Sequence, residues 1–347
     1  MIKIGILGCG KIAQVRHIPE YAANPDCALK GFYNPTKSRA EDMAAKYGGV
    51  VYDTAEELLR DPEIDAVSVC AANYAHAELA IQAMKAGKHV LCEKPLAVTH
   101  SDCEEMVRVS EETGKLLMIG QNQRLTRAHK LAKQMIADGE IGKVLTFRTA
   151  FGHGGPETWA IQPGKDTWFF DKTKAAMGVM ADLGIHKTDL IQFLLDSRVV
   201  RTTAKLVTLD KRGADDELIG VDDNAICIYE MANGVIGTMT ASWTYYAAED
   251  NSTVIYGTEG ELRIYDDPAH SIVLKKPGQD LQYFDVEQIQ TNDNQTKSGV
   301  IDLWVDCLVH NREPELSGES VLSAMRAVFA SMESSETGRA VEIPENR

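Results

Sequence analysis

A strand-like segment that leads directly into a glycine-rich turn is the feature that most limits the fold of this chain. Residues 2–7 are mainly apolar and run into GCGKIA at 8–13, a G-x-G-x-x-A pattern followed by a helix-like segment. Gly8 suits a tight turn, Gly10 a close approach of backbone to a pyrophosphate, and Ala13 the packing of helix on strand. The N–H groups of the helix terminus then face the anion. The pattern predicts a dinucleotide-binding turn, although glycine also serves simple turns.

The first 120 residues alternate strand-like and helix-like patterns. Strands are predicted at residues 2–7, 28–33, 64–70, 89–92 and 116–120. Helices are predicted at residues 12–23, 36–47, 75–86 and 100–113, with a short one that opens at 53–57. Short apolar strands separated by helices of this length indicate an α/β fold with a parallel, doubly wound Rossmann sheet.

The pattern changes after Gly120. Helices are predicted at residues 126–138, 176–195, 298–311 and 318–334, with a Gly/Pro-rich loop at 152–156 and an exposed loop at 276–297. Six β-rich segments follow one another between residues 199 and 275, and they favour an α+β domain with a mostly antiparallel, open sheet. We expect a dinucleotide-binding domain at 1–121 and a second domain at 122–347, whose terminal helices can pack back on the first.

Composition excludes several classes of protein. A net charge of −15 disfavours binding to nucleic acid or to an anionic membrane. No apolar stretch approaches the length of a membrane span, and residues 2–7 are typical of a strand rather than a signal peptide. Seven scattered cysteines without C-x-x-C pairs indicate a reducing, cytoplasmic setting and no structural zinc.

Lys94 is the first candidate for chemistry. It lies in Glu93-Lys94-Pro95, at the carboxyl end of a predicted parallel strand, where ligands of doubly wound sheets bind. A lysine there can donate to a hydroxyl or carbonyl oxygen and can shuttle a proton. The alternative is a surface lysine paired with Glu93.

Asp182 and His186 are the second candidate pair. They are four residues apart, and hence on one face of the predicted helix. A carboxylate and an imidazole there can bind a polyol and accept a hydroxyl proton. They can equally form a structural pair, and without a third ligand at a suitable spacing they do not predict catalytic zinc.

Two polar segments fall near the same edge of the predicted sheet. Asn73 and His76 follow the strand that ends near residue 70, and the alternative role for Asn73 is a helix N-cap. Gln121, Asn122 and Arg124 lie where the last strand joins the second domain; their amides and guanidinium suit sugar hydroxyls or phosphates. The alternative there is a hydrogen-bond network at a hinge.

In this order and spacing, the motifs resemble the Gfo/Idh/MocA family of NAD(P)-dependent oxidoreductases, which includes inositol dehydrogenases and glucose–fructose oxidoreductase. The resemblance implies that His186 is the general base, that Lys94 polarises the oxygen, and that Asp182 orients substrate or histidine. It implies a homodimer or homotetramer through the second domain's sheet. It also implies a set of cofactor-binding residues: Gly8, Gly10, Lys11, Ile12, Asn34, Lys37, Arg39, Asn73, His76, Glu93, Lys94 and Gln121.

The segment after the second strand departs from the pattern of many NAD-using members. Asn34 stands where they have an acidic residue for the ribose 2′-hydroxyl, and an amide does not repel a 2′-phosphate. Lys37 and Arg39 can reach such a phosphate, or can be ordinary solvated residues. NAD and NADP therefore both remain candidate cofactors.

The substrate side is less determined by the sequence. Asn122, Arg124, His153 and Trp168 are candidate substrate ligands, although large aromatics are more often core residues. We expect hydride transfer between a nicotinamide cofactor and a sugar, sugar derivative or cyclic polyol. The alternatives are a redox-neutral, NAD-dependent lyase or hydrolase that works through a transient keto-sugar, and a sensor without catalysis.

Overall fold

The computed structural model describes residues 1–161, 163–287 and 297–344. They form two compact units. The first contains Met1–Asn122, Thr173–Ala176 and residues 297–322, and the second contains the remaining described residues.

The first unit is built on a six-stranded parallel sheet. Its strands are β1 (Ile2–Leu7), β2 (Cys27–Tyr33), β3 (Val50–Val51), β4 (Ala66–Val69), β5 (His89–Cys92) and β6 (Leu117–Ile119). The order is β3-β2-β1-β4-β5-β6, and all five pairings are parallel. This is the doubly wound order, in which the direction of winding reverses between β1 and β4 and ligands bind at the carboxyl ends beside that point. The predicted Rossmann sheet is confirmed, with the two-residue β3 added.

Five helices connect these strands: α1 (Ile18–Ala23), α2 (Lys37–Tyr47), α3 (Ala55–Arg60), α4 (His76–Lys85) and α5 (His100–Thr113). Local chemistry sets several of their ends. Thr54 and Thr99 cap α3 and α5, because each side chain accepts a main-chain N–H three residues later. Gly114 ends α5 in the left-handed conformation. A π-helical turn, Ala13–His17, links the glycine turn to α1.

The second unit is built on a nine-stranded sheet. Its strands are β7 (Val144–Gly152), β8 (Val199–Val207), β9 (Asn224–Met231), β10 (Ile236–Ser242), β11 (Thr253–Gly257), β12 (Glu261–Ile264), β13 (Ile272–Lys275), β14 (Gln282–Phe284) and β15 (Val341–Glu342). The order is β14-β13-β12-β11-β7-β10-β9-β8-β15, and only β7 and β10 pair in parallel. The mostly antiparallel sheet is confirmed.

Residues alternate between the two faces of this sheet. On β9, Cys227 and Tyr229 are fully buried, whereas Ile226 and Ile228, which alternate with them, are exposed. Because successive side chains of a strand point to opposite faces, one face forms the core and the other stays open.

The remaining helices are α6 (Arg127–Ala137), α7 (Lys172–Ala175), α8 (Ile185–Leu195), α9 (Val300–His310) and α10 (Gly318–Thr337). The helix predicted at 176–195 is partly wrong, because regular α-helix begins only at Ile185 after a π-helical turn, Met180–Gly184. The N–H groups of Gly178 and Met180 donate to the carboxylate of Asp222 instead, a distant contact that no local pattern predicts.

The loop predicted at 276–297 is also partly wrong, because it contains β14, which pairs with β13. An edge strand with exposed side chains lacks the apolar alternation by which strands are recognised. Residues 288–296 of that predicted loop lie outside the described residues. Among the helices of the described chain, none has both the length and the apolar composition that crossing a bilayer requires.

Candidate functional site

The glycine turn has the geometry that the sequence predicts. Gly8 has φ +99°, and a Cβ there would lie 2.7 Å from both the carbonyl carbon and the oxygen of Cys70. At Gly10 the nearest atom to a Cβ would be the Cys70 oxygen at 3.6 Å, so one side of this residue is open. Lys11 and Ile12 follow in the first helical turn, where main-chain N–H groups have no partner within the helix. The turn therefore fits a pyrophosphate.

Asn34 braces this turn from the end of β2. Its Oδ1 accepts the Cys9 N–H at 2.9 Å, and its Nδ2 donates to the Thr36 carbonyl at 3.0 Å. A carboxylate at this position can make the first bond but not the second, because it has no hydrogen to donate. These two contacts account for an amide rather than a carboxylate at position 34. The second N–H of the amide stays available to donate to a ribose hydroxyl.

Lys37 and Arg39 differ in their surroundings. The Lys37 ammonium lies 2.5 Å from Asp53 Oδ1, and both side chains are mostly exposed. Arg39 forms no ion pair with any residue that the structure describes. Its charge acts on Cys9, where burial raises the thiol pKa to about 12 and Arg39 opposes the rise. Arg39 therefore places a positive charge near the glycine turn.

Lys94 lies just beyond the carboxyl end of β5 and is partly exposed. The neighbouring Glu93 is buried, and its Oε2 accepts the main-chain N–H of Lys94 at 3.2 Å. Burial raises the pKa of Glu93, but the hydrogen bond and charge of His17, with the charges of Lys94 and Arg16, outweigh it and lower the pKa to about 2. Glu93 is an anion at neutral pH.

Asn73 and His76 make structural contacts around the same sheet edge. Asn73 does not cap a helix; its Nδ2 donates to the Ala175 carbonyl at 3.1 Å. The His76 ring has Nδ1 2.7 Å from the Pro95 oxygen and Nε2 3.1 Å from the Ala71 oxygen. Burial lowers the pKa of His76 despite these bonds. A neutral ring donates to one of them, and the shorter distance favours Pro95. His76 thereby supports the residue after Lys94.

The buried side chain of Gln121 is the feature of the first unit that most clearly indicates a bound ligand. It is 1% exposed, and neither its amide nitrogen nor its amide oxygen has a hydrogen-bond partner among the described residues. A buried amide without partners is destabilising unless a bound molecule supplies them. Asn122, the next residue, is partly exposed. Together with the glycine turn, this amide fits a bound dinucleotide.

Asp182 and His186 lie in the second unit, and both are buried. Asp182 lies within the π-helical turn and His186 in the first turn of α8. The indole Nε1 of Trp243, at the end of β10, donates to Asp182 Oδ2 at 3.0 Å. The carboxylate is therefore fixed by a fully buried tryptophan.

A chain of aromatic rings joins the other candidates of the second unit to His186. Centroid distances are 6.0 Å from His186 to Phe151, 5.9 Å from Phe151 to His153, and 6.3 Å from His153 to Trp159. Phe169 extends the chain at 5.1 Å from Trp159 and stacks on Trp168 at 3.9 Å. The second unit therefore brings His153 and Trp168 into one aromatic cluster with His186.

Arg124 has a structural partner that the sequence did not indicate. Its Nε donates to Asp189 Oδ2 at 2.7 Å, and its Nη2 donates to the other carboxylate oxygen. Burial raises the pKa of Asp189, and the Arg124 charge and hydrogen bond oppose the rise. This bidentate pair fixes α8 one turn after His186. Contact of Arg124 with substrate stays a prediction.

Models of known families match both parts of this chain. Residues 2–121 match the NAD-binding Rossmann domain of the oxidoreductase family Gfo/Idh/MocA, and residues 129–263 match the C-terminal domain of that family. The chain belongs to the Gfo/Idh/MocA family. Its first domain is therefore an NAD-binding Rossmann domain of an oxidoreductase, as its motifs predict.

Individual relatives agree with this assignment. The chain is 26% identical to myo-inositol 2-dehydrogenase of Thermotoga maritima over 99% of both proteins. It is 30% identical to glucose-6-phosphate 3-dehydrogenase of Bacillus subtilis, over 70% of this chain and 68% of the relative. The crystal structure of an NAD-binding oxidoreductase from Klebsiella pneumoniae matches with a TM-score of 0.83 at 27% identity, over 99% of this chain and 100% of the other.

Sequence reasoning missed four residues that hold the candidate groups in place: His17, Asp189, Trp243 and Asp222. For Asp189 a signal exists, because it lies three residues after His186 on one helix. All four are distant in sequence from the groups that they hold, including Asp189, which binds Arg124. Within residues 1–161, 163–287 and 297–344, no group of three His, Cys, Asp or Glu residues is arranged to bind a metal.

Proposed function

We propose that this chain transfers a hydride between a nicotinamide cofactor and a hydroxyl-bearing carbon of a sugar, sugar derivative or cyclic polyol. The observation that supports this proposal most directly is the buried Asp182 and His186 pair beside an aromatic cluster, in a chain with an NAD-binding domain. Aromatic faces suit the apolar faces of sugar rings, while carboxylate and imidazole suit their hydroxyls. Relatives named for inositol and glucose 6-phosphate act on substrates of this chemistry.

In this proposal the protein supplies positioning and proton transfer. His186 accepts the proton of the substrate hydroxyl as general base, while Lys94 donates a hydrogen bond to the same oxygen and stabilises its developing negative charge. Asp182, held by Trp243, orients the substrate or the imidazole. Bound NAD(P) supplies the acceptor for the hydride. Gly8, Gly10, Lys11, Ile12 and Gln121 hold that dinucleotide.

A substrate panel tests the proposal and separates it from its redox-neutral alternative. Inositols, aldoses, glycosides and sugar phosphates are incubated with NAD or NADP, and absorbance of the reduced cofactor is followed. We expect stoichiometric accumulation of NAD(P)H with at least one sugar or polyol. Conversion of the sugar without net NAD(P)H identifies the lyase or hydrolase alternative instead. Cofactor binding without conversion of any compound contradicts both and favours a sensor.

We also propose that the chain accepts NADP as well as NAD, because Arg39, near the glycine turn, forms no ion pair with the described residues and Asn34 carries no charge. Arg39→Glu should weaken NADPH binding at least tenfold while changing NADH binding less than threefold, since a charge-assisted hydrogen bond contributes about 1.5–3 kcal/mol. Fluorescence titration measures both dissociation constants. Lys37→Glu is the matched control, because Lys37 already pairs with Asp53. An equal loss of affinity for NADH and for NADPH in Arg39→Glu contradicts this role.

The open face of the second unit's sheet is our proposed homo-oligomer interface, in a dimer or tetramer. Ile226, Ile228 and Ile236 lie on that face and are 57%, 46% and 49% exposed. Apolar side chains clustered on an open sheet are typical of protein interfaces.

Ile228→Lys should convert the assembly to monomers at micromolar concentration, because burying an unpaired ammonium in the interface is costly. Light scattering after size exclusion measures the mass. Val309→Lys, at an exposed apolar site of α9, should leave the mass unchanged. A wild-type monomer contradicts the proposal.

We place the protein in the cytoplasm. All seven cysteines are free and buried, as expected where thiols stay reduced. Fractionation of the source cells tests this assignment, and recovery outside the cytoplasm contradicts it.

A further inference from the structure

We propose that His17 is a positioning residue for Lys94, and that it acts through the carboxylate of Glu93. This inference rests on the proposed role of Lys94, but it is carried by different contacts, all within the first unit. No motif of the sequence indicated His17, which lies nine residues after Gly8 at the end of the π-helical turn.

The contacts form one continuous chain of hydrogen bonds. The Tyr21 hydroxyl lies 2.7 Å from Ser68 Oγ, which lies 3.3 Å from His17 Nδ1. His17 Nε2 lies 2.8 Å from Glu93 Oε1, and Glu93 Oε2 accepts the Lys94 main-chain N–H. Tyr21, Ser68 and His17 are essentially without solvent exposure. The chain therefore links α1, β4 and the π-helical turn to the residue that carries the proposed catalytic ammonium.

The direction of the hydrogen bond between His17 and Glu93 follows from the charge of Glu93. An ionised carboxylate only accepts, so His17 Nε2 must carry the hydrogen. On the other side of the ring, His17 Nδ1 contacts the Ser68 hydroxyl, which also contacts the Tyr21 hydroxyl. The ring is therefore held at both of its nitrogens, which is the arrangement that fixes a side chain in a single position.

Gly120, which follows β6, also lies against the Glu93 carboxyl group. A Cβ at Gly120 would lie 3.0 to 3.2 Å from three atoms of the Glu93 carboxyl group. Glu93 therefore fills the space beside Gly120, and His17 holds it there. Because each oxygen of the carboxylate receives a fixed donor, a displacement of Glu93 moves the main chain at Lys94. A shift of about 1 Å at a reacting group can lower a rate about 100-fold.

Two substitutions of His17 separate positioning from stability. Glutamine extends an amide N–H to the place of Nε2, and so keeps the bond to Glu93. Asparagine reaches only the place of Nδ1, and so loses it. His17→Asn should lower kcat about 10- to 100-fold and change the NADH dissociation constant less than threefold, whereas His17→Gln should retain at least about a third of kcat. The matched control is His89→Asn. His89 is the first residue of β5, the strand that leads to Glu93, and this variant should change kcat less than threefold.

Glu93→Gln tests whether His17 acts through this carboxylate. The double variant His17→Asn/Glu93→Gln should be no slower than the slower single variant, because both break the same link. If the losses of kcat in the two single variants multiply in the double variant, the inference is overturned. It is also overturned by a His17→Asn variant as fast as His89→Asn, or by a His17→Gln variant as slow as His17→Asn. Lys94→Ala distinguishes the two proposals, since full activity in that variant contradicts the role of Lys94, whatever the result at His17.

A readout that needs no substrate completes the test. The Glu93 carboxyl carbon is followed by 13C NMR from acid to neutral pH, and it is assigned by its loss in Glu93→Gln. In His17→Asn its pKa should rise by about one unit or more, because Lys94 and Arg16 are the charges that remain near it. It should rise less in His17→Gln and not at all in His89→Asn. An unchanged pKa in His17→Asn overturns the inference.

Discussion

Replacement of Lys94 by alanine is expected to lower kcat by about 10²- to 10⁴-fold, which corresponds to about 3–5 kcal/mol of transition-state stabilisation. The reason is that, in our proposal, the ammonium meets the substrate oxygen when that oxygen carries most negative charge. Its main chain at the end of β5 is held independently by Glu93, so the strand should keep its position. Steady-state kinetics with a substrate from the panel measure the loss, and NADH fluorescence shows whether cofactor affinity is largely retained.

The matched control for Lys94 is Lys85→Ala at the end of α4, where the lysine is exposed. This variant removes the same charge from the same domain and should retain wild-type kcat. Full turnover in Lys94→Ala contradicts the role that we assign to the ammonium. A loss of NADH binding as large as the loss in kcat assigns Lys94 to cofactor binding alone.

His186→Ala is expected to have an effect of the same size, about 10²- to 10⁴-fold in kcat, because no general base then accepts the hydroxyl proton. NADH affinity should be largely intact, since the NAD-binding domain is formed by other residues. The loss should shrink as pH rises, because hydroxide and the ionised substrate replace the missing base. A pH series of kcat for both proteins measures this convergence.

His270→Ala is the control for the imidazole. His270 lies in the same unit and pairs with Asp285, away from the aromatic cluster that contains His186. It should retain wild-type kcat at every pH. Parallel pH profiles for His186→Ala and wild type would show that the histidine is structural.

Much of the fold was predictable because its signals are local. Strands of the first unit are short apolar runs, and helices between them begin at capping residues such as Thr54 and Thr99. What failed depended on distant partners. The start of the helix before His186 is determined by Asp222, and β14 is a strand only because β13 lies beside it.

The candidate site was predictable as a list of residues more than as a set of contacts. Asn34 was identified for its missing charge, and the structure adds that its amide ties the glycine turn to Thr36. Arg124 was identified for its guanidinium, and the structure adds that Asp189 binds it. A residue type indicates which bonds a side chain can make, but not which partner it meets.

The sequence by itself determined the class of fold and the glycine turn at which we propose that the dinucleotide binds, because glycine sterics and apolar periodicity act within a few residues. Only the tertiary structure decided how the reactive groups are held. His17 and Glu93 are 76 residues apart, Asp182 and Trp243 are 61 apart, and Arg124 and Asp189 are 65 apart. Hydrogen bonds between such residues exist only once strands and helices have packed, so no local pattern encodes them.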